Sequence, residues 1–530
     1  MAARTSKTGA NASGKTSASQ GSKASGKAGG KASGKTPAKA AAAKAPRKAS
    51  ARADGDGGAS PRAGAGTGAN ANAIAKKSGG KADGKLMRVL TSDAKGFDAA
   101  WRTLCDRRED SVLDVEKDVA RIIAAVRSGG DEALLGFVKK FDGAALEELE
   151  VGREEWDEGC EQVDPADRAA IGKAAMRVRD FHRKRIPSSW EMREEGGGYM
   201  GQRVRPLARV GLYVPGGKAV YPSSVVMNAV PASVVEVPEI IMVTPPGRDG
   251  RLRPEVLMAA RVAGVHRVFK MGGAHAVAAL AYGTESVPRV DKITGPGSVW
   301  VATAKKQVFG QVGIDSEAGP TEVAIVADRS ATPAWLAADL ISQAEHDELA
   351  QSILITHVKG LVPRVQEQLA RQLEKLDRAE IARTSLEARG AIVQTKSLEE
   401  SLRLADEYAA EHLVLAVEDP EKASKGVQNA GAIFMGHYTP VAVGDYMAGP
   451  NHVLPTGGTA RFFSPLSVED FMKRTTFMKF EPPKIRELGA DLLRLANIEG
   501  LTGHGASVEL RLQKIRHARR EREAARDLEL

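Results

Sequence analysis

Apolar residues are spread along this chain in two different ways. Through residue 85 they are nearly all alanine, scattered among Lys, Gly, Ser and Thr. From Leu86 onward, branched and aromatic residues recur at regular spacings. Asp114 can cap a helix in which Val115, Val119, Ile122 and Val126 share a face, and Gly129-Gly130 predicts its end. Asp164-Pro165 is a cap followed by proline at the first helical position, opening a helix that should finish before Pro187. Beyond residue 208 the spacing changes. Strand-like apolar runs at 210–214, 240–243, 268–271, 322–326 and 353–356 have helical stretches between them, at 254–262, 274–282, 299–309 and 333–345. Such alternation predicts parallel sheets and an α/β fold.

Glycine-rich turns (Pro215-Gly216-Gly217, Gly272-Gly273, Gly295-Pro296-Gly297) follow several of these strands. Ligands of doubly wound sheets bind beyond the strand carboxyl ends, so a site is expected there. No GxGxxG follows a strand, and any nucleotide site is not of the standard Rossmann form.

The formal charge of +9 would suggest a nucleic-acid partner, but its distribution changes the picture. Residues 1–85 hold 17 of the 76 basic residues and three of the 67 acidic ones, leaving 59 basic and 64 acidic in the remainder. The basic character belongs to a tail built on a loose Ser-Gly-Lys repeat, and the body is mildly acidic. The tail has too little apolar surface to offset the entropy of ordering and is expected to be disordered. Its lysines lack interleaved aromatics. Phosphate contact with nucleic acid is therefore the lesser reading, and a solubilising extension the favoured one.

Two cysteines, Cys105 and Cys160, exclude a disulfide framework and a cysteine metal site. No run of about 18 apolar residues predicts a membrane span, and no apolar stretch at the N-terminus suggests a secretory signal. A cytoplasmic setting is expected.

Of ten histidines, His182, His266, His357, His437 and His517 read as structural or surface groups. The other five have more suggestive company. Gln343 and His346, three apart at the end of a helix, can aim at one point. Asp445 and His452 flank a loop rich in Gly, Pro and Asn, and His504 lies between two glycines. Glu411-His412 opens an apolar strand. Two imidazoles, one carboxylate and one amide would complete a tetrahedral zinc shell. On spacing alone, scattered polar groups remain the simpler account.

The motifs settle on a family when taken together. GLYVPGG (211–217), YGTESVPRVD (282–291), SQAEH (342–346), Glu411-His412-Leu413, GDYMAGPNHVLPTGG (444–458) and Leu501-Thr502-Gly503-His504 follow one another in order. The chain resembles the histidinol dehydrogenases over about residues 86–520. The resemblance implies two incomplete Rossmann-like parallel-sheet domains, with a helical N-terminal section and a C-terminal helical tail. On these boundaries, 1–85 is the basic tail and 86–208 a mainly helical section. Residues 209–330 form a domain with NAD-contacting turns, 331–465 a domain with metal and catalytic residues, and 466–530 a helical segment serving a partner's site.

It further implies oxidation of L-histidinol to L-histidine through the aldehyde, with two NAD and one water. Gln343, His346, Asp445 and His504 would hold Zn2+, and Glu411 and His412 would be the catalytic pair. Substrate would meet Thr321, Gln343, His346, His412, Asp445, His452, Glu499 and His504. Of these, Glu499 and His504 would reach across from the second subunit of a homodimer. Tyr213, His275 and Ser298 fall at NAD-contacting positions. His275 replaces the usual glutamine, Ser298 an asparagine and Thr321 a serine. An alternative is a dehydrogenase of the same fold acting on another small polyol, such as a sulfonated diol; His452, Glu499 and the full ligand set weigh against it.

Overall fold

The computed structural model describes residues 86–106, 115–216, 220–316 and 319–529; the basic tail and the expected cap Asp114 lie outside them. Two parallel sheets carry the architecture. The first has five strands in the order Arg267–Lys270, Glu239–Thr244, Arg209–Tyr213, Lys292–Thr294 and Gly313–Ile314. Leu212, Ile240, Met242 and Val268 face one core, while Tyr213, Ile241, Val243 and Phe269 face the other. Burial on both faces is why these strands read as continuous apolar runs.

The second sheet has six strands, ordered Arg88–Thr91, Ala391–Gln394, Gln351–Thr356, Glu322–Ala327, His412–Ala416 and Ala432–Met435, all parallel. Its two faces are likewise both covered, with Val323 and Ile325 in one core and Ala324 and Val326 in the other.

Several expectations change. The section 86–208, mainly helical, also holds strands. Its strand Arg88–Thr91 pairs with Ala391–Gln394, and Trp190–Glu194 and Gly198–Pro206 join Met472–Phe480 in a three-stranded antiparallel sheet. That last strand lies within the segment expected to be helical from 466, after a 3-10 turn at Val468–Phe471. These strands escaped notice because their side chains are largely exposed, with Trp190, Met192 and Met478 each about half accessible or more. The helix expected to end at Gly129-Gly130 breaks at Gly130 (φ 50°, ψ −136°) and restarts, running on to Phe141. The Glu285 carboxylate accepts the Asp131 N–H at 2.8 Å, capping the restart from outside the helix.

The helix Pro165–Arg183 starts as expected, with the Asp164 carboxylate accepting from Ala166 N–H at 2.7 Å. At the C-terminus, helices Pro482–Ile498 and Thr502–Leu528 pack antiparallel, Leu512 closing against Gly489. None of the described helices is long and apolar enough to cross a membrane.

Candidate active site

The catalytic candidates stand at the amino ends of the second sheet's strands. Thr321 precedes the strand Glu322–Ala327, and Glu411 precedes the neighbouring strand His412–Ala416. The rule that ligands sit beyond strand carboxyl ends therefore misplaces this half of the site. It suits the first sheet, whose glycine turns follow the strands Arg209–Tyr213, Arg267–Lys270 and Lys292–Thr294.

Glu411 and His412 are both buried, 7% and 5% exposed. Glu411 Oε2 accepts two hydrogen bonds, from the Thr321 hydroxyl at 2.6 Å and from Glu322 N–H at 2.9 Å. The Thr321 proton is thereby committed to the carboxylate, so Thr321 Oγ accepts from the amide nitrogen of Gln343. That orientation leaves the Gln343 carbonyl oxygen outside the chain of bonds.

His412 Nδ1 lies 3.1 Å from the Glu322 carbonyl and 3.6 Å from Glu411 Oε2. A carbonyl can only accept, so Nδ1 carries the hydrogen and Nε2 presents a lone pair. Burial lowers the imidazole's pKa, opposed by the Asp445 charge and the Glu322 carbonyl, and the neutral ring is favoured near pH 7.

Asp445 comes near through a glycine. A Cβ at Gly444 would sit 2.5 Å from the Phe434 ring, which itself packs 5.8 Å from the His412 ring between centroids. Burial raises the Asp445 pKa to about 6, with His412 pulling it down and Glu411 pushing it up. His452 Nδ1 lies 3.9 Å from Asp445 Oδ1, and burial drives its pKa down to about 4. The loop holding His452 is pinned by Asn451, whose amide donates to the Met227 carbonyl at 2.6 Å and accepts from Val453 N–H at 2.8 Å. Gln343 ends the helix Pro333–Ala344, and His346 follows it. His346 is exposed to solvent, and desolvation by the protein beside it lowers its pKa.

Thr321, Gln343, His346, Glu411, His412, Asp445 and His452 thus form one cluster. Glu499 and His504 are elsewhere, exposed on the C-terminal helical pair. They line a groove of about 520 Å³ with Leu492, Leu495 and Ala496. Among the described residues no three His, Cys, Asp or Glu side chains are grouped closely enough to hold a metal ion.

A family model described as histidinol dehydrogenase matches residues 105–512. A histidinol dehydrogenase of Geobacter sulfurreducens is 52% identical over 431 residues, covering 81% of this chain and 100% of that protein. One from Pseudomonas aeruginosa is 52% identical over 416 residues, covering 78% and 93%. The chain belongs to the histidinol dehydrogenase family. The crystal structure of histidinol dehydrogenase from Elizabethkingia anophelis agrees, with a TM-score of 0.77 at 32% identity over 82% of this chain and 99% of that one.

The histidinol dehydrogenase motifs of the first sheet are arranged around Tyr213. Its hydroxyl accepts from Gly273 N–H at 3.0 Å, and burial raises its pKa to about 12, which keeps it protonated. Ser298 is exposed at the start of the helix Val299–Val308. His275 lies in the first turn of the helix Gly273–Tyr282. It is 1% exposed, with its ring centroid 5.6 Å from that of Phe137 and 5.9 Å from that of Phe141. Its Nε2 lies 4.0 Å from Asp142 Oδ2, and neither atom has a hydrogen-bond partner. Burial pushes the two pKa values toward the neutral forms, Asp142 up to about 6 and His275 down to about 4.

Reasoning from the residues missed Glu322, which is 1% exposed and supports both catalytic candidates. Its backbone N–H and carbonyl bind Glu411 and His412, and its Oε1 accepts from Glu411 N–H at 3.2 Å. A charged residue opening an otherwise apolar strand was the available signal. The histidines read as ordinary include His182, hydrogen-bonded to the Val178 carbonyl, and His266, accepting from Ile240 N–H.

Proposed function

We propose that this chain oxidises L-histidinol to L-histidine in two hydride-transfer steps, with NAD as acceptor and a zinc ion in the site. The pair Glu411–His412 carries this reading. The two groups are adjacent and buried, Glu322 holds both through its backbone, and the imidazole is free to accept a proton at Nε2.

The residues fit a borderline divalent cation. The His346 imidazole, whose pKa its surroundings lower, the half-buried Asp445 carboxylate and an unengaged amide oxygen are suitable donors. Gln343, His346 and Asp445 would hold it, with His504 of a second subunit completing the shell. The exposed apolar groove around Glu499 and His504 supports that second subunit, because Leu495 and Ile498 stand 58% and 74% exposed beside it. Around Tyr213, the glycine turns let backbone approach a dinucleotide closely, with Ser298 exposed at one rim.

When bound, zinc supplies an electrophilic template for the substrate and NAD supplies the hydride acceptor. His412 Nε2 takes the alcohol proton as the carbinol carbon gives up hydride, leaving the aldehyde. Glu411 then takes a proton from water as it adds to that aldehyde. His412, carrying the alcohol proton, returns it to the aldehyde oxygen as water adds. The hydrate then gives a second hydride to a second NAD and a proton back to His412 Nε2, leaving the carboxylic acid. Thr321 and Glu322 hold the Glu411 carboxylate for this task, and Asp445 stabilises the imidazolium formed on His412.

The test is NADH production by the purified protein from L-histidinol and from other small polyols, with and without a chelator. Faster turnover of a sulfonated diol than of histidinol would overturn the substrate assignment.

A further inference from the structure

A buried lysine outside the catalytic cluster has no part in the chemistry above. The Lys305 side chain is 1% exposed, and its ammonium is paired with Asp315, whose side chain is 5% exposed. Both groups grip the same peptide unit. Lys305 Nζ donates to the Gly295 carbonyl at 2.9 Å, and Asp315 Oδ2 accepts the Gly295 N–H at 2.8 Å. Asp315 Oδ1 also accepts from Ser316 N–H at 2.8 Å.

Gly295 needs such a grip. Its φ of +112° is closed to ordinary side chains, and a Cβ there would fall 2.0 Å from the Tyr213 carbonyl oxygen. The turn that begins at Gly295 thus lies directly on the backbone of Tyr213 and leads in three residues to Ser298. On the other side, Asp315 stands six residues before Thr321 in sequence, and Gly319 N–H donates to Thr456 Oγ at 2.6 Å. Thr321 then donates to Glu411. One ion pair therefore grips the turn that faces the nucleotide through both the N–H and the C=O of Gly295.

Stability alone does not call for charges here. An apolar pair of similar volume in such a position is often as stable or more so, because two ions lose their hydration on burial. What an apolar pair cannot do is hold a peptide unit by both its N–H and its C=O. We infer that Lys305 and Asp315 are a positioning pair for hydride transfer, holding the nucleotide-facing turn in place against the backbone of Tyr213. This rests on the proposed NAD-linked reaction.

The experiment uses the full chain carrying Lys305→Met with Asp315→Leu, a double change that leaves no unpaired buried charge. Thermal unfolding and zinc content report whether the protein is folded and loaded. NADH fluorescence titration reports nucleotide binding without turnover, and C1-deuterated histidinol reports the hydride step. The expected result is a folded, zinc-loaded protein with NADH affinity weakened about tenfold or more. Its KM for histidinol should be little changed, and its deuterium isotope effect larger than the parent's. Parent-like NADH affinity and isotope effect in the folded double variant would overturn the inference, leaving the pair a stability feature only. Should that variant not fold, Lys305→Arg keeps the charge and alters the grip on the Gly295 carbonyl. Parent-like NADH binding there overturns the inference in the same way, and weakened binding supports it. A parent protein that neither binds NADH nor oxidises histidinol would instead remove the functional reading beneath it.

Discussion

The Thr321 hydroxyl reaches Glu411 Oε2 at 2.6 Å, across 90 residues of sequence, and in doing so determines which way the Gln343 amide points. A single proton thus orients both a candidate catalytic carboxylate and a candidate metal ligand. Thr321→Val, which keeps the shape and removes the hydroxyl, should slow turnover and lower zinc occupancy together. Metal analysis alongside steady-state rates checks this; a slow variant with full zinc would separate the two effects.

Glu411 and His412 should divide the two half-reactions. Glu411→Gln keeps shape and hydrogen bonding but cannot take a proton, so the variant should convert histidinol to the aldehyde and stall there. Losing a positioned general base costs about 10²–10⁴-fold in the step it serves. His412→Asn should slow the first hydride transfer instead. NADH formation from histidinol and, separately, from histidinal distinguishes them, and a parent-like rate of Glu411→Gln on histidinal would disprove the role given to Glu411.

The separation of His504 from the cluster gives a test of a shared site. His346→Ala and His504→Ala should each lose zinc and turnover while remaining folded. Mixed and allowed to exchange subunits, the two inactive proteins should recover about a quarter of parent activity, because half the dimers are hybrids with one intact site each. No recovery in verified hybrids would mean that each site takes its four ligands in some other way.

His275 should leave a mark on the acid limb of stability. Its folded pKa, about 4, lies below the unfolded value, so the unfolded chain binds more protons below about pH 6.5. Stability contributed by the neutral ring is therefore present above that pH and lost as pH falls toward 4. His275→Gln removes this titration, so its stability relative to the parent should rise between pH 7 and pH 5. Urea midpoints at the two values decide it; a constant difference would show that His275 is not held neutral by burial.

Removing residues 1–85 should leave kcat and KM for histidinol within about a factor of two, since a chain terminus of this composition rarely supports a core. Rate measurements on the truncated protein check this.

The parallel strands were legible because burial on both faces makes them apolar runs such as 240–243 and 353–356, bounded by glycine turns. The antiparallel sheet was not, since Trp190–Glu194 and Met472–Phe480 have no clean alternation between a buried and an open face. In the site, Gln343 and His346 could be paired by helical spacing, and Glu411-His412 were visible at a strand edge. What spacing could not reveal was which strand ends meet. Neither Glu322 nor the Lys305–Asp315 pair carried a motif, for each acts through backbone groups that only folding brings near. At His275 the motif position implied a ligand contact, and what folding adds is a buried ring packed against Phe137 and Phe141 beside Asp142.

The strand Arg88–Thr91 emerges from the ribosome about 300 residues before Ala391–Gln394, the strand it pairs with. Until then it has no neighbour in the sheet. Met87 beside it, fully enclosed in the finished protein, must stay exposed or sheltered by other means for the same interval. A chain closed in this way, with its first strand waiting on a late one, folds slowly for its size and depends on synthesis being completed. Truncated products of this protein should accordingly expose that strand, making them substrates for chaperones and proteases that the full-length chain escapes.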